Sequence, residues 1–86
     1  MQLLWVRFSD MHSGGGRKTE HDAYLIQAPS MELAVLAFEE YTGCDAYHTT
    51  CDCCGPDWAI YETDGDDVGR DTLVIDWATI TDALDA

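Results

Sequence analysis

Alternating apolar and polar positions at the start of the chain predict a β-strand over Leu3–Phe8. Leu4, Val6 and Phe8 are expected on one face of this strand, because successive side chains point to opposite sides. The other face also carries a large apolar residue, Trp5. We therefore expect a strand that is covered on both faces, either by the chain itself or by a second copy in a symmetric dimer.

Three more segments have the composition and spacing of strands. They are Ala23–Ala28, Trp58–Thr63 and Thr72–Trp77. Pro29 ends the first of them, because proline has no N–H group for the ladder. In the last one, apolar residues at every second position up to Trp77 are expected on one face.

A helix is predicted over Ser30–Tyr41. Ser30 suits the N-cap position, and Gly43 suits the residue just after the helix. Apolar residues recur at the spacing of one helical face, which indicates a side packed on a core. The residues of this predicted face are Ala34, Ala37, Phe38 and Tyr41, flanked by Leu33 and Leu36.

The order of these elements predicts an α+β fold, a small β-β-α-β-β sheet with one helix packed on a face, as a single domain over residues 1–86. Ser9–Glu20 is expected to join the first two strands as a long hairpin loop. Asp64–Asp67 reads as a solvated turn, since the complete calcium-loop pattern is absent. A capping-box sequence at Thr79–Asp82 predicts a short helical end.

The chain is strongly acidic. Seventeen acidic residues face four basic ones, which gives a net charge of −13. Eleven of the acids lie in residues 41–86, where Arg70 is the only basic residue. This charge argues against direct binding to nucleic acid and favours a protein partner with a basic surface. Solubility alone is the simpler interpretation of the same charge.

The compartment is predicted from what the sequence does not contain. No apolar run approaches the ~20 residues that a membrane span needs, and the start of the chain has no basic and apolar signal region. We therefore expect a cytoplasmic protein that makes no membrane contact, with reduced cysteines.

A cysteine cluster carries the most specific chemical signal. The sequence C-D-C-C-G at residues 51–55 contains C-x-x-C-G through Cys51 and Cys54, the form of a zinc knuckle. Cys53 is an alternative to one of these thiolates. The other ligands of a zinc site must come from elsewhere in the chain. The candidates for them are His12, His48 and Cys44. Reduced, partly buried cysteines without metal are the main alternative.

Asp10 and His12 are two residues apart and suit a metal ligand with its orienting carboxylate. The neighbouring Ser13 does not make this set a hydrolase triad, because triad members converge from separate elements. We therefore predict no catalytic residues. The glycines at 14–16 lack the spacing of a phosphate-binding loop.

Two motifs together resemble a known group of proteins. The sequence D-M-H-S-G-G at residues 10–15 and T-C-D-C-C-G at residues 50–55 are similar to small uncharacterised proteins encoded by bacteriophages of actinobacteria. The resemblance covers residues 3–63 and implies a phage origin and action in the bacterial host cytoplasm, with no assigned activity. The pairing of the motifs also implies that His12 and the cysteines meet in space.

Three functions remain open on these grounds. The first is an accessory protein, not an enzyme, that binds a host or phage factor with a basic or nucleic-acid-binding surface, in the manner of host takeover. The second is a small zinc metalloenzyme, in which an open coordination position activates water. The third is a cysteine loop that only stabilises the fold.

Overall fold

The protein forms a four-stranded mixed sheet with two helices, so the predicted α+β class is confirmed. A computed structural model describes residues 2–12, 19–49, 55–69 and 71–85. The elements in chain order are β1 (Leu4–Asp10), β2 (Ala23–Ala28), α1 (Met31–Thr42), β3 (Trp58–Thr63), β4 (Thr72–Ile75) and α2 (Trp77–Asp85). No helix among the described residues is both long enough and apolar enough to cross a bilayer.

The strand order across the sheet is β3-β1-β2-β4. β1 pairs antiparallel with both β2 and β3, whereas β2 and β4 run parallel. The first two strands therefore form the predicted hairpin. In register, Phe8 lies opposite Tyr24 on one side and Ile60 on the other. This row of side chains faces α1, so the predicted inward face of β1 is confirmed.

Four aromatic rings form the centre of the core. Phe38 of α1 stacks on Phe8 of β1, with ring centroids 4.3 Å apart and planes within 3° of parallel. Trp58 and Tyr24 meet Phe38 edge-on, with centroids at 4.8 and 5.6 Å. All four side chains are buried. Such contacts add to the burial of apolar area and fix the helix over three strands.

The ends of α1 agree with the prediction, but its buried face differs. The Ser30 hydroxyl accepts a hydrogen bond from the Leu33 N–H at 3.2 Å, and Gly43 takes the left-handed conformation at φ 73°. The buried residues of α1 are Ala34, Val35 and Phe38, so Ala34 and Phe38 are confirmed as core residues and Val35 joins them. Tyr41 lies at the border of this face in the last turn and is 60% exposed, so its assignment to the core was wrong.

The connection from β3 to β4 crosses the face of the sheet opposite α1, because these strands lie at opposite edges. The Arg7 guanidinium donates to the Asp67 carbonyl oxygen at 2.8 Å. Gly65 lies on the Trp5 indole, where a Cβ would come within 2.8 Å of Nε1. Leu25, on the same face, is fully buried. The chain thus covers part of its own second face, which weakens the argument for a dimer.

The predicted end of the fourth strand was wrong. β4 stops at Ile75, and Trp77 begins α2 instead of continuing the strand. The Asp76 carboxylate accepts a hydrogen bond from the Thr79 N–H at 2.8 Å and so caps the helix, which makes Asp76 the N-cap where the sequence suggested Thr79. The Trp77 N–H donates to the Gln27 side-chain oxygen at 3.2 Å, which ties α2 to β2.

We expect Phe38→Ala to lower the free energy of unfolding by about 3–5 kcal/mol, because it leaves a cavity against Phe8 and Trp58. Leu36→Ala, on the same helix but 60% exposed, is the matched control and should change stability by less than about 0.5 kcal/mol. Urea unfolding followed by tryptophan fluorescence measures both. Equal effects of the two substitutions would contradict this core.

The cap of α2 predicts a pH dependence. Hydrogen bonds from Thr79 lower the pKa of Asp76 below its ordinary value. A depressed folded-state pKa means that the stabilisation is present above the unfolded-state pKa and is lost as pH falls through the folded one. Asp76→Ala should therefore lower the melting temperature at neutral pH. The difference from wild type should shrink below pH 3.8, the ordinary value.

Asp76→Asn is the control for this prediction, because asparagine caps a helix without titrating. Thermal unfolding of the three proteins across an acid pH series provides the measurement. A wild-type minus Asp76→Ala difference that stays constant down to the most acidic point would argue against the cap as the source.

Candidate functional site

All three histidines lie at one end of the sheet, which we call the histidine end. It comprises Asp10–His12, His21–Asp22, His48, Asp57 and Asp71. The register explains the gathering, because the last residues of β1 lie opposite the first residues of β2 and β3, and β2 and β4 start side by side. Residues far apart in sequence therefore meet at this end.

Each histidine faces an aspartate. The three pairs are His12 Nε2 with Asp22 Oδ1 at 3.5 Å, His21 Nδ1 with Asp71 Oδ1 at 3.0 Å, and His48 Nδ1 with Asp57 Oδ2 at 2.9 Å. The Asp71 carboxylate also accepts from the Asp22 N–H at 3.2 Å. Asp71 has a positive φ of 53°, an uncommon conformation for a non-glycine residue that these contacts hold in place.

The His48–Asp57 pair closes the base of the segment that carries the cysteine motif. The Asp57 N–H donates to the His48 carbonyl oxygen at 3.0 Å, parallel to the side-chain contact. Asp57 is only 4% exposed, whereas the His48 side chain is 60% exposed. Since an ionised carboxylate only accepts hydrogen bonds, Nδ1 of His48 is the donor. In the neutral ring, Nε2 then carries the lone pair.

The Asp10–His12 segment also contacts the base of the segment that carries the cysteine motif, where His48 and Asp57 meet. The Met11 N–H donates to the Asp57 carbonyl oxygen at 2.9 Å. The Asp10 carboxylate accepts from the His12 N–H at 2.7 Å, and His12 takes a positive φ of 53°. Met11 of the D-M-H-S-G-G motif is thus joined directly to Asp57, which follows the T-C-D-C-C-G motif.

The predicted metal ligands do not all fall within the described residues. Cys51, Cys53 and Cys54 lie outside them. Cys44 is a half-buried free thiol beyond the end of α1, with its Sγ 3.9 Å from the Thr42 carbonyl oxygen. Within residues 2–12, 19–49, 55–69 and 71–85, no group of three or more potential ligand side chains is placed to hold a metal ion.

The sequence interpretation missed the aspartates that hold the histidines. Asp57 comes soon after the cysteine motif. Its position after C-C-G-P was the one signal in the sequence that could have indicated a role for it at this site. His21 and Asp71 meet across the parallel pair β2–β4, and no local pattern reports a pairing between residues 50 positions apart.

The exposed charge of the described residues is overwhelmingly negative. Arg7, the basic residue within them, is half-buried and its guanidinium donates to the Asp67 carbonyl oxygen and to the Ser9 and Thr72 hydroxyls. The exposed carboxylates are those of Glu20, Glu32, Glu40, Asp45, Glu62, Asp64, Asp66, Asp76 and Asp82. They spread over both helices, the edge strand β3 and the crossing connection, so the surface offers negative potential in several directions.

In comparisons with known proteins, the chain matches no protein-family model, no curated protein and no solved structure.

Proposed function

We propose that the protein is a small acidic accessory protein of phage type that binds a protein partner with a basic surface. The partner is a host or phage factor in the bacterial cytoplasm, and a protein that itself binds nucleic acid fits this charge best. The protein acts by occupying that surface and not by catalysis. The surface charge is the observation that carries this proposal.

The exposed charges of the described residues support the proposal of a basic protein partner. Within the described residues nine carboxylates are exposed, whereas the Arg7 guanidinium is directed at polar groups of the chain itself. Opposite charge across an interface accelerates encounter and suppresses wrong partners. The same potential repels phosphate backbones, which argues for a basic protein in preference to DNA or RNA as the direct ligand.

The metal part of the proposal concerns stability. We propose that the cysteine segment binds zinc through Cys51 and Cys54, with Cys53 as an alternative thiolate and a histidine to complete the set. The described histidines differ in how well they suit this role. A zinc-binding histidine usually donates its other ring N–H to a carboxylate, which is the arrangement of His48 on the buried Asp57.

His12 suits the role less well. Its Nε2 faces the Asp22 carboxylate at 3.5 Å, and a ligand role would require that contact to be given up. His48 also precedes Cys51 by only three residues. Zinc at this position would stiffen the segment whose base His48 and Asp57 close.

The partner proposal predicts salt-sensitive binding. Immobilised protein is exposed to an actinobacterial host lysate at low salt, and each retained protein is identified, purified and titrated individually. The affinity for the true partner should fall steeply between about 50 and about 500 mM salt. Glu62→Gln combined with Asp66→Asn should weaken binding about three- to tenfold at low salt.

The matched control is Glu62→Asp with Asp66→Glu, which keeps both charges and should bind like wild type. Retention of no protein at low salt would overturn the proposal. So would a purified partner whose affinity is unaffected by salt and by charge neutralisation.

The zinc proposal predicts a difference between two histidines. Protein purified under reducing conditions should contain about one zinc per chain by elemental analysis. His48→Ala should lower this content and the melting temperature, and Asp57→Asn should weaken zinc affinity about 10–100-fold. His12→Ala is the control and should retain the metal. Loss of zinc in His12→Ala with retention in His48→Ala would reverse the assignment, and zinc-free wild type would overturn it.

A further inference from the structure

A cleft of about 260 Å³ lies beside the C-terminal end of α1. It is open to solvent and combines aromatic, hydroxyl and carboxylate groups. Its lining residues are Thr19, Glu20, Tyr24, Tyr41 and Thr42. Among the residues that the structure describes, the histidine–aspartate pairs do not line this cleft.

The floor of the cleft is held by two partly buried hydrogen bonds. The Thr19 hydroxyl donates to the His21 carbonyl oxygen at 3.1 Å. A hydroxyl has one hydrogen, so the 2.6 Å contact between Thr19 Oγ1 and Tyr24 Oη has Tyr24 as donor. The Tyr24 ring is packed edge-on against Phe38 and Trp58, which makes this floor rigid.

The wall of the cleft is Tyr41, whose ring is 60% exposed although it contacts the core ring Tyr24 at a centroid distance of 6.0 Å. Tyr41 lies one turn beyond the last buried residue of α1, Phe38, so it packs against the core on one side and is open to solvent on the other. An aromatic face that is held in place yet open to water can bind a cation through its quadrupole.

The electrostatics at this end of α1 are unusual. The negative end of a helix dipole normally attracts lysine or arginine, but the last turn of α1 has no basic residue. It carries Glu39, whose carboxylate accepts a hydrogen bond from the Ala46 N–H at 3.0 Å, and the exposed Glu40. Glu20 adds an exposed carboxylate to the lining of the cleft. No basic side chain of the described residues lines the cleft, so a cation that entered it would meet the Glu20 carboxylate and the negative end of the helix dipole.

We propose that this cleft binds the guanidinium of an arginine side chain from the protein partner. The planar group stacks on the Tyr41 ring and donates hydrogen bonds to the Glu20 carboxylate. Arginine suits the cleft better than lysine, because an open wall with one aromatic face matches a flat, weakly hydrated cation. This inference rests on the proposed basic partner and names the point at which it is recognised.

The test is an NMR titration of the full chain with acetyl-Gly-Arg-Gly-amide. The same peptide with citrulline supplies an uncharged group of nearly the same shape, and the lysine peptide supplies the other cation. Saturable shifts are expected at Thr19, Glu20, Tyr41 and Thr42 with the arginine peptide. They should be weaker with lysine and absent with citrulline.

Substitutions sharpen the test. Tyr41→Ala and Glu20→Gln should each weaken binding about two- to fivefold, the range of one exposed cation–π contact or ion pair. Tyr41→Phe keeps the aromatic face and should bind like wild type. Tyr47→Ala and Glu32→Gln remove an equally accessible tyrosine and glutamate outside the cleft and should have no effect.

Two results would overturn the inference. One is binding of citrulline or lysine as tight as that of arginine. The other is an equal effect of Tyr41→Ala and Tyr47→Ala, with shifts spread over the whole acidic surface. A purified partner that binds wild type and Tyr41→Ala alike removes this inference and leaves the proposed function intact. Retention of no basic partner at all removes the proposed function, whatever the peptide titration gives.

Discussion

The structure depends on the stack of Phe38 over Phe8. These rings join α1 to the central strand β1, and Trp58 and Tyr24 close around them from β3 and β2. A chain of 86 residues buries a modest core, so one compact aromatic cluster must position most of its elements. With α1 held there, its last turn and Tyr41 are carried to the border of the core, where the cleft forms.

The order of the strands in the sheet determines where the histidines and aspartates lie. β3 and β4 occupy opposite edges of the sheet, which forces their connection across the second face, where Arg7 and Trp5 receive it. The same order brings the start of β4 beside the start of β2, and with it Asp71 beside His21. The histidine end is therefore a consequence of topology, and its three histidine–aspartate pairs join residues of the connections that meet there.

The exposed charged groups and the packed core lie in different parts of the molecule. Arg7 is used inside the fold, to fasten the crossing connection, and is thereby withdrawn from the surface. Among the described residues, the exposed charged groups are largely carboxylates, and some single aromatic side chains, such as Tyr41, are exposed as well. Such a surface would suit the proposed recognition of a cationic protein, because long-range attraction and a fixed contact point would act on the same partner. In the proposed complex, the packing of Tyr41 against Tyr24 would reduce the entropy lost on binding.

The sequence by itself determined the element order, the inward face of β1, both caps of α1 and the acidic character, because each depends on residues close in sequence or on composition alone. It misplaced Trp77, since the alternation of Leu73, Ile75 and Trp77 continues the strand pattern, whereas the hydrogen bond from Thr79 to Asp76 starts a helix there. It missed Asp71, whose partner His21 is set by the pairing of β2 with β4, and Asp57, whose partner His48 lies in the connection before β3. Only the tertiary structure decided those contacts and the exposure of Tyr41 to water. The sequence of a helix does not show how far the sheet beneath it extends, so it cannot show which of its apolar residues are covered.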